Sequence, residues 1–307
     1  MNTLNECPVC HNPADGAKMV HTYDHGHQAQ GIKGYNFETT LVACRSCDHV
    51  FTNPQPTWEE LAPAYGAGTM YQEHHGESGF DFKKVDSLIA RSFDGTYFNH
   101  IPVVKGGRYL DVGSGDGLLV AGMARLGMLA EGVEPRADAV EECRKAGLKV
   151  TVGTLEDAHF PDDSFDCMSL NHVLEHVPDP VALIRECRRV LKPGGTLMVG
   201  VPNYRSLLFG VVGWTWIGLD PPRHLHQFHD KSLRSVFEQA GLRVESIESE
   251  SLLDFVEAEL SRWLRYRAFV PRRLTLKTHA TRPIAALLTR RGNASLRGES
   301  LVIRGVK

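Results

Sequence analysis

Two pairs of cysteines near the beginning of the chain have the spacing of a metal site. Cys7 and Cys10 form one CxxC pair, and Cys44 and Cys47 form the other. Two such pairs can present four thiolates to one tetrahedral Zn²⁺, and four sulfur ligands leave no open position at which chemistry could occur. We therefore expect these cysteines to hold a structural zinc ion in a small zinc-ribbon-like module over residues 1–57.

A glycine-rich loop in the middle of the chain has the composition of a nucleotide-binding turn. The run RYLDVGSGDGLL, residues 108–119, predicts a buried strand, a turn without side-chain bulk and the start of a helix. A dinucleotide fingerprint would need a further glycine at position 118, which is Leu118. A carboxylate about twenty residues beyond the loop, Glu134, can accept hydrogen bonds from ribose hydroxyls. The pattern predicts a nucleotide-like ligand and disfavours a dinucleotide.

Histidines supply the candidate proton acceptors of the chain. An imidazole, with an ordinary pKa of about 6.5, can take the proton of a hydroxyl nucleophile near neutral pH. His172 lies in the phrase NHVLEHVPDP, whereas His224 and His226 lie in PPRHLHQF, where an extended backbone would turn both toward the same side. We expect His224 to act as a general base or a substrate ligand, with His226 and His172 as further candidates.

The segments that must position these residues alternate between strand and helix signals over most of the chain. Short apolar runs predict strands, and the runs between them have helical periodicity. A helix capped by Asp230 or Ser232 is expected to end at Gly241, and the last two strands are expected at 243–248 and 299–305. Alternation of this length predicts an α/β fold whose parallel sheet is covered by helices on both faces.

The glycine loop and the order of these segments resemble one enzyme family. The D-x-G-x-G-x-G pattern of the loop resembles motif I of the class I S-adenosylmethionine-dependent methyltransferases, and the similarity continues over residues 106–242. The resemblance implies a Rossmann-like seven-stranded sheet in a domain over 106–307, an enzyme that transfers methyl groups, and S-adenosylmethionine as the cofactor. The positions that it assigns to cofactor binding are Asp111, Gly113, Ser114, Gly115, Gly117, Glu134, Pro135, Thr154, Leu155, Glu156 and Asn171.

Two further phrases resemble a narrower group of enzymes. Two phrases are similar to segments of bacterial methyltransferases of glycan, deoxysugar and secondary-metabolite pathways, namely CRSCDHVFTNPQP in the N-terminal module and PRHL after the strand predicted at 196–202. The resemblance implies a helical cap over 58–105 and a substrate lid over 203–230. It also implies a small-molecule acceptor, namely a sugar, a sugar nucleotide, a lipid-linked glycan or a related natural product.

Two other classes of protein share parts of this pattern. Ribosomal RNA guanine methyltransferases also join an N-terminal zinc module to this fold, and C-terminal arginines could bind phosphates. The strand predicted at 165–170 ends in NHVL, however, and not in the N/D-P-P-Y/F motif that holds exocyclic amines, so nucleic acid is disfavoured as the acceptor. A non-catalytic cofactor-binding scaffold is the remaining alternative, which the intact loop and Glu134 disfavour.

The charge of the chain is nearly balanced overall and uneven along its length. A formal net charge of −3 at pH 7 argues against a surface that binds nucleic acid throughout. Between residues 261 and 307, however, there are twelve Lys or Arg and one acid, Glu299. These residues include much of a basic helical insertion expected over 251–297. Its part 261–291 is a candidate contact with an anionic membrane surface.

Hydrophobic segments bear on the compartment. The start MNTLNE has neither the basic residues nor the apolar core of a signal peptide. The longest nearly unbroken apolar run, 207–219, is too short to cross a hydrocarbon layer of about 30 Å as a helix. We therefore expect a cytoplasmic protein, with peripheral contact at the inner membrane surface as a further possibility.

Overall fold

A computed structural model describes residues 1–24, 38–65, 85–86, 100–267 and 281–307 of the chain. It has the α/β architecture that the sequence predicts. Its strands and helices in chain order are β1 (Lys18–Asp24), β2 (Glu38–Ala43), β3 (Val50–Thr52), α1 (Trp58–Leu61), β4 (Arg108–Val112), α2 (Leu118–Arg125), β5 (Leu129–Glu134), α3 (Ala137–Lys145), β6 (Val150–Val152), β7 (Phe165–Asn171), α4 (Pro180–Val190), β8 (Leu191–Pro202), α5 (Leu207–Val212), β9 (His226–Gln227), α6 (Asp230–Gln239), β10 (Arg243–Glu250), α7 (Leu253–Arg267), α8 (Arg282–Ala294) and β11 (Ser300–Val306).

The larger sheet has seven strands in the order β10-β11-β8-β7-β4-β5-β6. The strands β8, β7, β4, β5 and β6 are parallel, and β11 is antiparallel to both of its neighbours. The central strands consist mainly of buried residues because helices cover both faces of a parallel sheet. The carboxyl ends of β4, β5, β7 and β8 therefore meet at one edge, which is where the predicted site residues lie. The seven-stranded methyltransferase sheet is confirmed.

Helix α6 shows one difference from the sequence-based expectation. The prediction that Asp230 or Ser232 caps this helix was wrong, because the cap is His229. The Nδ1 atom of His229 accepts a hydrogen bond from the Ser232 amide, and the Ser232 hydroxyl accepts one from the His229 amide. A buried imidazole thus performs the reciprocal capping usually made by Ser or Thr with Glu. Histidine is not among the residues preferred at the N-cap position, so the sequence pattern gave no signal for this cap.

The smaller sheet joins the N-terminal module to the rest of the molecule. Its order is β1-β2-β3-β9, all pairs being antiparallel, and β9 comes from the predicted lid at 203–230. Side chains of the module also share one hydrophobic core with the large domain, where Phe51 and Phe228 are both fully buried. The module therefore packs as part of the main body. The predicted boundary at residue 57 divides the sequence but not the core.

The apolar run 207–219 forms α5 and two short 3₁₀ turns. Leu208 and Trp216 are buried in a second core, which includes Leu41 of the module and Val256 of α7. The run therefore bridges the N-terminal sheet and the C-terminal insertion. Within the part of the chain that the structure describes, no helix combines the length and the apolar character needed to cross a bilayer.

Two predicted helical regions fall partly outside the described residues. Of the predicted cap over 58–105, the structure shows α1 and a 3₁₀ turn at Ala62–Tyr65, whereas 66–84 and 87–99 lie outside. Of the predicted insertion over 251–297, the structure shows α7 and α8, whereas 268–280 lie outside. The insertion precedes the last strand, as the sequence predicts.

Candidate cofactor site and active site

The glycine loop after β4 has a backbone that requires glycine. Gly113 and Gly117 have φ angles of 71° and 76°, in the left-handed region that L side chains rarely adopt. A methyl group at Gly113 would also collide with the Val173 side chain. Gly115, with φ of 52°, has open space where a side chain would point, so its backbone is open to a ligand. The loop is thus shaped for close approach of backbone to ligand.

Glu134 stands at the end of β5 and holds the loop in place. One carboxylate oxygen accepts a hydrogen bond from the Gly115 amide, and the other accepts one from the Arg136 amide, each at 3.0 Å. The side chain is buried. Because each carboxylate oxygen has two acceptor sites, Glu134 retains capacity for ribose hydroxyls. Its predicted contact with the cofactor remains a prediction.

A cavity of about 370 Å³ opens beside the loop. Much of its wall is apolar, as expected for a pocket that takes a flat nucleobase. The residues that line it include five of the predicted cofactor contacts, namely Gly113, Pro135, Thr154, Leu155 and Glu156, together with Val173 and Val177 from the loop after β7.

The remaining predicted cofactor residues surround the loop. Asp111 is buried and accepts a 2.6 Å hydrogen bond from the Ser169 hydroxyl, and burial raises its pKa to about 7. Ser114 is buried against Gly132, and Gly117 packs against the side chain of Leu148. These contacts explain the shape of the loop.

Asn171 at the end of β7 has a side-chain oxygen without an internal partner. This Oδ1 atom is buried and forms no hydrogen bond within the described residues. Buried amide oxygens are normally satisfied, so this unpartnered atom, two residues before the cavity-lining Val173, makes Asn171 a candidate ligand contact. Asn171, the glycine cradle and Glu134 together fit S-adenosylmethionine.

A cluster of polar side chains lies on the loop after β7. Glu175 is fully buried in the 3₁₀ turn Leu174–His176, and its Oε1 atom lies 3.1 Å from Nδ1 of His172 and 3.9 Å from Nε2 of His224. The rings of His176 and His224 meet edge to face with centroids 4.6 Å apart. The tertiary structure thus brings His172 and His224, two of the predicted catalytic residues, to one carboxylate.

The orientation of His224 determines which of its ring nitrogens carries the proton. Its Nδ1 atom lies 2.9 Å from the carbonyl oxygen of Gly218, which can only accept, so Nδ1 carries the proton. Nε2 then has the lone pair and faces Glu175 and the Asp220 carboxylate, at 3.9 and 3.7 Å. A proton accepted at Nε2 would lie between two carboxylates, which favour the charged imidazolium.

Burial sets the protonation states of this cluster. It lowers the pKa of His224 to about 4 and that of His176 to about 4, so both imidazoles are neutral at neutral pH. Burial alone would raise the pKa of the Glu175 carboxyl, but the hydrogen bond from His172 helps to lower it to about 2. The site therefore contains an ionised carboxylate beside a neutral imidazole, which can accept a proton without first losing one.

A family comparison is consistent with this geometry. The family model described as a methyltransferase domain matches residues 83–247, which is more than half of the chain. The chain belongs to this methyltransferase family. The match covers the glycine loop, the cavity and the whole histidine cluster.

Curated relatives are similar over part of their length. The ubiquinone biosynthesis O-methyltransferase of Xanthomonas oryzae pv. oryzae is 40% identical over 136 residues, which cover 41% of this chain and 57% of the relative. The enzyme of the same name from Xanthomonas euvesicatoria pv. vesicatoria is 37% identical over 157 residues, which cover 47% of this chain and 66% of the relative. The chain thus spans less than two thirds of the length of these relatives.

Solved structures share the fold at lower identity. A SAM-dependent methyltransferase from Archaeoglobus fulgidus is 19% identical, with a TM-score of 0.50 over 78% of this chain and 98% of that one. The [4+2]-cyclase SpnF is 22% identical, also with a TM-score of 0.50, over 83% and 98%. Since SpnF is named for a different reaction, the fold alone does not specify methyl transfer.

His226 is the third residue that the sequence predicted to be catalytic, and its surroundings differ from those of His224. Its Nε2 atom lies 2.9 Å from the carbonyl oxygen of Val177, and its Nδ1 atom lies 3.1 Å from Nε2 of His49. Both ring nitrogens therefore have partners inside the protein, and the residue is 1% exposed. The alternation of polar and apolar residues had indicated that His224 and His226 face the same side. In the structure, His226 instead has partners on both ring nitrogens and does not join the Glu175 cluster.

The site also contains residues that were not assigned from the sequence. Tyr65 places its hydroxyl 3.2 Å from Nδ1 of His176, and Asp220 forms an ion pair with Arg223 at 2.7 Å besides facing His224. Asp220 precedes His224 by four residues in a turn, which was a usable signal. Tyr65 belongs to the predicted cap and could be expected near the pocket, but residue spacing could not pair it with His176, which lies far away in the sequence.

Among the residues that the structure describes, two groups of side chains have metal-ligand geometry. Sγ of Cys7 lies 3.7 Å from that of Cys47, and Sγ of Cys10 lies 3.6 Å from that of Cys44. Tetrahedral zinc with Zn–S bonds of about 2.3 Å requires sulfurs about 3.8 Å apart, so the four cysteines fit the predicted zinc. The second group, in which one ligand atom from each side chain lies within 4.8 Å of the others, consists of Glu175, His176 and His224.

Proposed function

We propose that this chain is an S-adenosylmethionine-dependent methyltransferase that methylates a hydroxyl group of a small molecule. The observation that carries the proposal is the loop after β7. Val173 and Val177 line the candidate cofactor cavity, whereas Glu175 between them faces His224. A methyl donor bound in the cavity and a base for the acceptor would therefore be held by one short segment, which favours alignment of the reacting groups.

The residues of the chain divide the work of the reaction. S-adenosylmethionine, when bound, supplies an electrophilic methyl group on a sulfonium sulfur. The Gly115 backbone and Glu134 bind and orient the nucleoside end of the donor. During methyl transfer to the acceptor oxygen, Nε2 of His224 would take the hydroxyl proton, and Glu175 and Asp220 would stabilise the resulting imidazolium. The products are S-adenosylhomocysteine, a methyl ether and a proton that later passes to solvent.

Oxygen is favoured as the acceptor atom for two reasons. The curated relatives are named O-methyltransferases. Burial keeps His224 neutral at neutral pH, so the lone pair on its Nε2 atom can accept a hydroxyl proton without first losing one. Among hydroxyl acceptors we propose a sugar, a sugar nucleotide, a lipid-linked glycan or a related natural product. His172, with 41% of its side chain exposed, is a candidate contact for that acceptor.

Zinc in this proposal is structural. The four cysteine sulfurs would complete its coordination, so it would supply no Lewis acid to the reaction. The ion would link the two CxxC pairs and thereby stabilise β2 and β3, which flank the second pair. Nothing in the proposed reaction passes through it.

A peripheral membrane contact is a further part of the proposal. Ile284 and Leu287 on α8 have exposed fractions of 54% and 48%, and Arg290 and Arg291 are exposed on the same helix. Apolar side chains flanked by arginines suit an anionic lipid surface. This contact would place a cytoplasmic enzyme near lipid-linked acceptors.

One experiment separates the candidate functions. The protein is incubated with methyl-labelled S-adenosylmethionine and cell extract, and the label is measured in small-molecule, lipid, RNA and protein fractions. We expect label in the small-molecule or lipid fraction and none with Glu134→Ala, which should fail to bind S-adenosylhomocysteine. Label in RNA would favour an RNA methyltransferase, and cofactor binding without transfer to any fraction would favour a scaffold.

A further inference from the structure

The short segment 224–227 connects the cysteine module to the loop after β7 that contains Glu175. On one side, β9 pairs with β3 of the module, and the Thr52 amide donates a 2.9 Å hydrogen bond to the carbonyl oxygen of Leu225. On the other side, the Leu225 amide donates a 2.8 Å hydrogen bond to the carbonyl oxygen of Glu175. His224 directly precedes Leu225, so the candidate base is attached to a segment held from both sides.

Two buried histidines make a second connection with a defined direction. The carbonyl oxygen of Val177 can only accept, so the proton of His226 resides on Nε2. In the neutral ring Nδ1 is then an acceptor, and the hydrogen bond of 3.1 Å between the two rings is donated by Nε2 of His49. His49 belongs to the module and follows its second cysteine pair. These two hydrogen bonds connect the module through His226 to Val177 in the loop after β7.

His49 is an unexpected residue for packing alone. It is fully buried and stacks near Phe51 and Phe228, yet its Nδ1 atom has no hydrogen-bond partner within the described residues. An apolar ring would fill the same space without leaving a buried acceptor unsatisfied. The contribution that an apolar ring could not make is the hydrogen bond to His226.

We propose that His49 is a positioning residue through which the cysteine module orients the segment carrying His224. Thr52 acts in the same way, because its hydroxyl lies 3.4 Å from the carbonyl oxygen of His224. The module would then support catalysis by fixing the orientation of His224. The consequence for catalysis rests on the proposed function, but the orientation of His224 does not.

Two substitutions at His49 distinguish a positioning role from a packing role, because the two roles predict opposite outcomes. His49→Gln keeps a donor near the Nε2 position and loses the aromatic ring, whereas His49→Phe keeps the ring and loses the donor. The readout is the long-range ¹H–¹⁵N spectrum of ¹⁵N-histidine-labelled, zinc-loaded protein, with the His224 signals assigned by their loss in His224→Gln. Wild-type protein should show His224 as one neutral tautomer, protonated at Nδ1.

Positioning predicts that His49→Gln preserves this spectrum and that His49→Phe replaces it by signals averaged between tautomers. Both variants should bind S-adenosylhomocysteine within twofold of the wild type. A wild-type His224 spectrum in His49→Phe, or an equal disturbance in both variants, would overturn the proposal. If His49→Phe does not fold, Thr52→Val decides: altered His224 signals support positioning, and unaltered signals overturn it. Because no acceptor is used, failure of the methyl-transfer assay leaves this result unaffected.

Discussion

Nε2 of His224 lies 3.9 Å from Oε1 of Glu175, although the first residue follows β8 and the second follows β7. The pair forms because β7 and β8 are parallel neighbours, so the segments at their carboxyl ends converge. Glu175 is ionised and fully buried, whereas His224 is neutral. This relationship makes His224 the base of the proposed reaction, and it leads to the first two predictions.

Replacing His224 should remove turnover and leave cofactor binding intact. We expect His224→Ala to lower kcat by about 10² to 10⁴, the usual contribution of a general base. His224→Asn is the matched variant, because its amide can still donate to the Gly218 carbonyl oxygen but cannot act as a base. Affinity for S-adenosylhomocysteine, measured by calorimetry, should stay within twofold in both. Wild-type turnover in His224→Asn would reduce the role of His224 to a structural one.

The activity should persist at lower pH than an ordinary histidine allows. Burial lowers the pKa of His224 to about 4, so protonation should abolish activity only as pH falls toward that value. A base with a pKa of about 6.5 would instead lose roughly thirtyfold in rate by pH 5. The measurement is kcat/KM between pH 5 and 8, which should be nearly flat. A half-maximal point near pH 6.5 would contradict the assignment.

The pH experiment needs a stability control. His176, His224 and His226 are neutral in the folded protein, with pKa values lowered by burial to about 4, and each takes up a proton on unfolding below its ordinary value. The unfolded state therefore binds more protons between pH 6.5 and 4, and the free energy of unfolding falls as pH falls through this window. Thermal unfolding at each pH separates this loss from loss of the base.

Gly113→Ala should damage both stability and cofactor binding. The new methyl group would collide with Val173 in a backbone with φ of 71°, at a cost of about 1 to 3 kcal/mol. Gly147→Ala is the control, since Gly147 has φ of 78° but nothing within 4 Å of the added carbon. We expect at least tenfold weaker binding of S-adenosylhomocysteine in the first variant and unchanged binding in the second. Equal affinities would argue against close approach at this loop.

Removal of zinc should destabilise the whole molecule. Cys44 lies in the same hydrophobic core as Phe237 of α6, so losing the metal should lower the free energy of unfolding by several kcal/mol, on the scale of structural zinc sites. Cys44→Ser should reduce bound zinc, measured by a colorimetric chelator, together with the melting temperature. Cys187→Ala, in the core but outside the cluster, should keep zinc. An unchanged melting temperature after complete chelation would exclude a structural ion.

Membrane contact should depend on the exposed face of α8. We expect the protein to float with vesicles containing anionic phospholipid and not with neutral vesicles, since apolar burial and arginine attraction act together. Ile284→Asp and Leu287→Asp should reduce flotation several-fold. Leu129→Asp, at a leucine of β5 that is 61% exposed, should not. Absence of flotation with either vesicle type would remove the membrane proposal.

The sequence by itself determined the parts of this protein that depend on local pattern. The strand, glycine turn and helix at 108–119 could be predicted because backbone conformation and apolar periodicity are encoded in neighbouring residues. The two CxxC pairs indicated a four-sulfur cluster for the same reason. The α/β class followed from the alternation of strands and helices, and the seven-stranded sheet followed from the resemblance of motif I to a known family.

Only the tertiary structure decided which distant residues meet. His224 and His226 are two residues apart, yet one faces Glu175 and the other joins His49 to Val177. Their roles depend on β9 completing the sheet of the N-terminal module, and a two-residue strand leaves no periodicity to detect. Contacts between segments far apart in sequence arise from packing of whole elements, so residue spacing could name the candidate histidines but could not assign their partners.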